Sequence, residues 1–245
     1  MPKRSGRVPP APPGNGREPF PTALFHALSY DLKASLTVIA GSLSTLLKEG
    51  DVALDKGARH ELLEMAYAGV ERLTRMVDGL LRMAELEAKK MELRMEPNAI
   101  EEVIGAAITK FGTLLDGRRC HVDIPPDFPL VLVDFALILQ VLVEVLDNAI
   151  KCSPKASRIE VRVSQAPGHF LLSVSDRGIG IPPEDLDRVF EKFHRLTRQS
   201  NDATPWGIGL GLTIAKGIVE AHGGRIWAEG LEGGGTMVTV SLPLQ

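Results

Sequence analysis

The segment that most constrains the fold is a helix predicted over residues 135–152, because it carries two contrasting faces. Glu144, Asn148 and Lys151 recur at spacings of four and three residues, so they lie on one side of the helix. The apolar side is formed by Leu139, Leu142, Val143, Leu146 and Ile150. It predicts packing on a sheet, while the polar side offers oxygen ligands for Mg²⁺ and an ammonium for phosphate. Taken alone, such a polar face is more often an ordinary solvated helix surface.

Two glycine motifs follow this helix. The sequence DRGIG begins at Asp176, directly after an apolar strand, and GIGLG begins at Gly207 and leads into a predicted helix over 212–221. An acid at a strand end accepts hydrogen bonds from an amino group such as that of adenine, and glycines let the backbone approach a flat ligand. A glycine-rich helix start suits phosphates. Each motif is weak alone, but their order and separation together predict a nucleotide site.

Composition narrows the class of protein. The 245 residues fit one large domain or two small ones, and 44% hydrophobic residues suffice for a core. A net charge of −3 gives no reason to expect nucleic-acid binding. Cys120 and Cys152 have no metal-site or disulfide spacing, and no run is long and apolar enough for a membrane helix. Without a signal peptide, we expect a cytoplasmic, reduced protein.

The N-terminal third predicts a helical hairpin. Residues 1–21 are rich in Pro, Gly and Arg and predict a flexible tail. A helix follows from Thr22, with a stripe that resumes after Ser35 as Leu36, Ile39, Leu43 and Leu46. Asp55 is the expected cap of a second helix. That helix has a heptad seam made of Leu62, Ala66, Gly69, Leu73, Met76, Leu80 and Met83, which fades toward Lys90. One hairpin has little core, so pairing with a second copy as a four-helix bundle is expected; packing on its own C-terminal domain is the alternative.

Beyond the hairpin, helices and strands alternate irregularly. Pro97 is expected to stop the second helix, which divides the chain into a hairpin domain over 22–96 and a second domain over 97–245. The predicted helices cover 99–115, 135–152 and 212–221, and the predicted strands cover 120–124, 130–133, 158–165, 169–175, 225–229 and 236–242. Strands paired as hairpins with helices between them predict an α/β sandwich with one helical layer.

With these motifs in order, residues from about 22 onward resemble the catalytic core of a bacterial sensor histidine kinase. The C-terminal half resembles the Bergerat-type (GHKL) ATPase fold shared with gyrase, MutL and the heat-shock chaperones. The helix 135–152 corresponds to the N box, 176–181 and 207–212 to the two glycine boxes, 190–195 to the F box, and about 196–206 to a mobile lid. The sequence VLVDFALILQVLVEVLDNAIKCSP is most similar to the potassium-sensing branch of these kinases.

The resemblance implies roles for individual residues. Asn148 would ligate Mg²⁺, with Glu144 tuning the metal or a water, and Asp176 would read adenine with help from Thr236. Lys151 and Arg195 would face the phosphates of ATP. The remaining pocket residues would be Gly178, Gly180, Phe190, Gly207, Gly209, Gly211 and Leu212. Cys152 replaces a common aromatic residue, which would alter adenosine packing without abolishing binding.

The acceptor segment departs from the family. The family motif reads His-(Glu/Asp)-Leu-(Arg/Lys)-Thr-Pro-Leu, whereas this chain has YDLKASL from Tyr30 to Leu36. Tyr30 stands at the position of the phosphorylated histidine, Ala34 at that of the threonine, and Ser35 at that of the helix-bending proline. Asp31, the acid that would activate an imidazole, is kept. His26, one turn earlier, is a surrogate acceptor or an ordinary surface histidine.

Three functions remain open from the sequence. The first is an atypical homodimeric sensor kinase that binds Mg-ATP and phosphorylates Tyr30, His26 or another protein. The second is a pseudokinase, a regulatory module for a partner kinase or response regulator. The third is an ATP-hydrolysing switch, because Glu144 and Asn148 repeat the spacing of the hydrolytic members of the ATPase fold.

Overall fold

The chain forms a helical hairpin followed by a mixed α/β domain. The computed structural model describes residues 20–48, 54–88, 92–115, 119–194, 196 and 209–244. The hairpin consists of α1 (Phe20–Leu47) and α2 (Lys56–Glu87). The expected cap of α2 is confirmed, since Asp55 Oδ1 accepts a hydrogen bond from the Ala58 N–H at 2.7 Å. Most of the predicted tail and Lys90 lie outside the described residues.

Three members of the predicted seam of α2, Ala66, Met76 and Met83, are at most 8% exposed, but the seam of α1 differs from the prediction. Leu36 and Leu43 are 53% and 44% exposed, whereas Ser35 and Ser42 are each only 4% exposed. A Cβ placed on Gly69 would lie 2.6 Å from Ile39 and 3.5 Å from the Ser35 carbonyl oxygen. The two helices therefore approach closely through small residues, and this rotates the larger leucines of α1 toward the flank.

The flank of the hairpin carries an apolar strip, which we call the outer stripe. Its members are all exposed hydrophobic residues at helical spacing: Leu36, Leu43 and Leu47 on α1, and Leu63, Tyr67, Val70, Val77 and Leu81 on α2.

The C-terminal domain has three main helices and seven strands among its described residues. The helices are α3 (Ile100–Phe111), α4 (Phe135–Cys152) and α5 (Gly211–Ala221). The strands are β1 (Glu96–Asn98), β2 (Arg119–Asp123), β3 (Val131–Val133), β4 (Arg158–Ala166), β5 (His169–Ser175), β6 (Arg225–Gly230) and β7 (Thr236–Pro243). The prediction for Pro97 is wrong: α2 ends at Glu87, and Pro97 lies in the short strand β1.

The domain is a two-layer α/β sandwich. Its sheet has the order β2-β4-β5-β7-β6, with β2 parallel to β4 and the other pairs antiparallel. One face of the sheet is buried under the helices, and Phe170, Leu142 and Ile214 are among the fully buried side chains between the layers. The alternation of buried and exposed residues along β4 and β5 agrees with a sheet covered on one face.

The hairpin also contacts this domain. Met83 belongs to the domain's hydrophobic core, and Gly79 of α2 lies against α5, where a Cβ would be 3.5 Å from Ile214 and 3.9 Å from Leu210. The alternative of a hairpin packed on its own C-terminal domain is therefore realised for the second half of α2. The outer stripe stays exposed.

Candidate nucleotide-binding site

The α4 helix brings together the polar residues predicted from its spacing. Asp134 caps its first turn, with Oδ1 accepting from the Leu137 N–H at 3.1 Å, and Oδ2 accepts from the Arg94 N–H at 2.9 Å. Glu144 and Asn148 are half-buried on the face away from the core. The Asn148 amide nitrogen donates to the Glu144 carbonyl oxygen at 2.9 Å, so its Oδ1 is the atom that remains for a cation.

Antiparallel packing of α4 and α5 places Glu144 at the start of α5. A Cβ on Gly211 would lie only 2.4 Å from Glu144 Oε2, and at the other end the Asp134 N–H donates to His222 Nε2 at 3.1 Å. Burial raises the pKa of Glu144, and the Asp147 charge raises it further, while Lys151, a hydrogen bond from Gln140 and Arg75 lower it. The carboxyl group is thus held where the free N–H groups of a helix start favour negative charge.

Asp176 is a buried acid directly after β5. The residue is only 6% exposed. Its side-chain Oδ1 accepts a hydrogen bond from the Gly178 N–H at 2.7 Å, and its backbone N–H donates to the Thr236 carbonyl oxygen at 2.9 Å. Burial raises the pKa of Asp176, and backbone hydrogen bonds with Gly178 and Thr236 partly offset that rise. These bonds orient the carboxylate as an acceptor, the state that reading an adenine amino group requires.

Two glycine turns pack around Asp176 at distances that exclude a side chain. A Cβ on Gly178 would lie 2.2 Å from the Cys152 carbonyl oxygen, and the Ile179 N–H donates to that same oxygen. A Cβ on Gly235 would lie 2.1 Å from the Asp176 carbonyl oxygen, and Gly235 has φ +103°. The sequence reasoning missed this second turn, Gly233 to Gly235 between β6 and β7, although three consecutive glycines before Thr236 were a readable signal.

The ends of the predicted lid are tied together. The Phe193 N–H donates to the Gly209 carbonyl oxygen at 3.0 Å, and a Cβ on Gly209 would lie 2.6 Å from the His194 carbonyl oxygen. Phe190 is buried beneath them. His194 Nε2 lies 3.2 Å from Asp185 Oδ1, a half-buried pair that the sequence reasoning did not single out. Among the predicted residues, Arg195 and Gly207 lie outside the described part of the chain, as does nearly all of the lid.

Other predicted residues lie at the rim of the site. Gly180 is beside Gly235, Leu212 follows Gly211 in the first turn of α5, and Thr236 is buried at the start of β7. Lys151 Nζ forms an ion pair with Asp147, a residue that the sequence reasoning missed.

Asn148 and Glu144 fit a magnesium ion. They supply two oxygen groups within one helical turn, and Mg²⁺ is commonly held by one or two protein oxygen ligands together with substrate phosphates. No group of three or more His, Cys, Asp or Glu residues capable of holding a metal occurs in the described part of the chain. The site would therefore hold the ion jointly with a nucleotide.

The acceptor segment lies in α1, on the hairpin. Tyr30, Asp31 and His26 all belong to the helix, but their side chains lie outside the described set. Ser35 is buried against α2, and its Oγ has no hydrogen-bond partner among the described residues. The helix runs without interruption from Phe20 to Leu47. Ser35, which the sequence analysis predicts at the position of the motif's proline, lies within this helix.

The fold and the site define an ATPase-type nucleotide-binding domain. Residues 133–245 match the family of histidine kinase-, DNA gyrase B- and HSP90-like ATPases. The chain is 33% identical over 227 residues to the sensor protein KdpD of Clostridium acetobutylicum, covering 93% of this chain and 25% of KdpD. It spans 25% to 60% of the length of the first curated relatives.

Solved structures agree with this assignment. The mycobacterial sensor histidine kinase MprB is 33% identical, with a TM-score of 0.54 over 62% of this chain and 98% of MprB. The histidine kinase ThkA, solved in complex with the response regulator protein TrrA, has the same fold, with a TM-score of 0.67 at 20% identity over 91% of this chain and 62% of that one. The chain belongs to the sensor histidine kinase family.

Proposed function

We propose that this chain binds Mg-ATP through its C-terminal domain but has lost the acceptor for histidine phosphorylation. Two observations support this. Asp176 is buried, is held by a hydrogen bond from the Gly178 N–H and lies between two glycine turns, whereas the α1 helix has Tyr30 at the position predicted for the acceptor. Asn148 and Glu144 would hold the ion, and Asp176 would accept from adenine. When bound, Mg²⁺ would neutralise charge on the phosphates.

The substitution at Tyr30 changes the chemistry of the acceptor. A neutral imidazole is a good nucleophile near neutral pH, whereas a phenol has a reference pKa of about 10 and is mostly protonated there. A phosphotyrosine ester also lacks the transfer potential of a phosphoramidate. Asp31 is retained, but phosphorelay from Tyr30 to an aspartate of another protein is not expected.

Incubation with γ-labelled ATP followed by acid and base treatment tests this proposal. We expect bound ATP and no acid-labile phosphoprotein. Acid-labile label would contradict the loss of the acceptor. Acid- and base-stable label removed by Tyr30→Phe would show tyrosine phosphorylation, and Tyr67→Phe is the matched control because Tyr67 is the only other tyrosine of the chain.

We propose that the hairpin pairs with a second copy through the outer stripe. Exposed leucines and valines recur along both helices of the hairpin, which fits a four-helix bundle. In that arrangement the nucleotide state would change the surface offered to a response regulator or partner kinase. ThkA, which was solved with a response regulator, supports this type of partner.

ATP hydrolysis is a second candidate, favoured by the position of Glu144. The carboxyl group lies at the start of α5, and its raised pKa makes it a better base than an ordinary glutamate. It would take a proton from water while the water oxygen bonds to the γ-phosphorus and the bond to the ADP oxygen breaks. Products would be ADP and phosphate.

Phosphate release tests the hydrolysis candidate. Glu144→Gln is expected to reduce steady release by about 100-fold or more while ATP still binds. Glu184→Gln, at an exposed acid outside the site, is the control and should leave release unchanged. Absence of release from the wild-type chain, with ATP bound, would leave the regulatory module as the function.

A further inference from the structure

Lys151, the residue expected to face the phosphates, forms an ion pair with a neighbour on its own helix. Its Nζ pairs with Oδ2 of Asp147, one helical turn earlier. An acid four residues before a lysine is the favourable orientation of such a pair on a helix. The side chains are 39% and 31% exposed, so a ligand from solvent can reach both.

Asp147 also acts on Glu144. The two acids are three residues apart on α4, and the Asp147 charge is the second cause, after burial, of the raised pKa of Glu144. Lys151 acts in the opposite direction on the same carboxyl group. One lysine thus offsets two carboxylates on a single helix face.

The pair lies between the two glycine loops of the site. Lys151 precedes Cys152. The Cys152 carbonyl oxygen lies against Gly178 and accepts a hydrogen bond from the Ile179 N–H, both in the first loop. Glu144, on the other side of Asp147, reaches Gly211 at the end of the second loop. A phosphate chain that extends from Asp176 toward the start of α5 passes along this face. The anion then meets a lysine that already has an anionic partner.

We propose that Asp147 sets how strongly the site discriminates nucleotides by their phosphates, because it competes with the phosphates for Lys151. The inference rests on the proposed nucleotide function and adds a specificity-determining residue to it. Each added phosphate of the nucleotide therefore gains less binding free energy from Lys151 than it would from a lysine without an acidic partner. Asp147 therefore limits the affinity for ATP relative to adenosine.

The size of the expected effects follows from the small free energy that an exposed ion pair contributes. Asp147→Asn should tighten ATP binding by about two- to fivefold, tighten ADP less, and leave adenosine unchanged. Titration calorimetry with the three ligands and Mg²⁺ measures this series. Glu220→Gln is the matched control, because Glu220 pairs with Lys216 at the same spacing on α5 and its loss removes the same charge. The control should leave all three affinities unchanged.

A double-mutant cycle separates competition from simple repulsion. Competition predicts that Asp147→Asn has a smaller effect on ATP affinity when Lys151 is already replaced by Met. An equal effect in both backgrounds would show that Asp147 only repels phosphate and would overturn the inference. Weaker ATP binding by Asp147→Asn would also overturn it, since Asp147 would then be a ligand.

Amine acetylation tests the pair in the absence of nucleotide. Lys151 should react more slowly in the wild-type chain than in the Asp147→Asn variant. Equal rates in the two proteins would contradict the pair. If the wild-type chain binds neither ATP nor adenosine, the proposed function fails and this inference with it. If the chain binds ATP but Asp147→Asn leaves the ATP-to-adenosine ratio unchanged, only this inference fails.

Discussion

The C-terminal domain buries its apolar residues in a core of its own, whereas the hairpin leaves part of its apolar surface exposed. The domain closes a core between sheet and helices, and backbone contacts, such as Gly178 on Cys152 and Gly235 on Asp176, hold its loops in place. The hairpin leaves an apolar stripe exposed and carries Tyr30 at the position that the sequence predicts for the acceptor. The comparison teaches that the candidate nucleotide site is built from contacts within the domain, whereas the hairpin keeps part of its apolar surface exposed.

Asp176→Asn is expected to have the largest effect on the domain. The amide presents an N–H₂ group or a weaker acceptor to adenine, so ATP affinity should fall by about 100-fold or more. Calorimetry measures the loss. Asp187→Asn, at an exposed acid nearby, should keep wild-type affinity. Unchanged binding by Asp176→Asn would remove Asp176 from the site.

Gly178→Ala tests the backbone contact that forms the site. The added Cβ would meet a carbonyl oxygen at 2.2 Å, so we expect a loss of about 2–3 kcal/mol in the free energy of unfolding. Gly105→Ala is the matched control, because a Cβ there meets nothing within 4 Å and alanine favours the α3 helix. Denaturant titration should show destabilisation for the first variant and slight stabilisation for the second; equal effects would contradict the close approach.

Val70→Asp tests the hairpin side of the comparison. A carboxylate in the outer stripe should weaken self-association by about tenfold or more, because burying it in an apolar contact is costly. Ala68→Asp places the same charge at an exposed position outside the stripe and should leave association unchanged. Sedimentation measures both. Self-association that Val70→Asp leaves unchanged would contradict the role of the outer stripe.

The effect of Glu144→Gln on the free energy of unfolding should be the smallest of these effects, a modest gain in stability that depends on pH. The folded-state pKa of Glu144 is raised, so the folded chain binds more protons than the unfolded chain between the unfolded and folded pKa values. Stability from this group therefore falls as pH rises through that window. The variant should gain about 2–4 °C in thermal midpoint near about pH 8 and almost nothing near about pH 4. A gain that is independent of pH would contradict this explanation.

The sequence predicted the parts of the fold that depend on local pattern. The helix over 135–152 and the strands around the Pro167-Gly168 turn were predicted to within a residue, because hydrophobic period and turn residues determine them. The α1 seam was missed because Ser35 and Ser42 are polar. They face α2 because Gly69 lets the helices approach. That reason depends on the partner helix and is not visible in α1 itself.

The sequence named candidate site residues but not the contacts that those residues make. Asn148, Asp176 and Gly178 were named from their spacing, but the Asp147–Lys151 pair and the Glu144–Gly211 approach depend on rotamers and on how α4 and α5 pack. The docking of Gly79 against Ile214 joins segments more than 100 residues apart, so no local pattern indicates it.

One measurement tests the central claim, a complete nucleotide site beside a lost acceptor. The chain is incubated with Mg²⁺ and ATP labelled on both adenine and the γ-phosphate, then passed over a desalting column before and after denaturation. We expect both labels to remain with the native protein and neither to remain as acid-labile phosphate on the denatured chain. Acid-labile γ-label on the denatured chain, or no adenine label on the native protein, would contradict the claim.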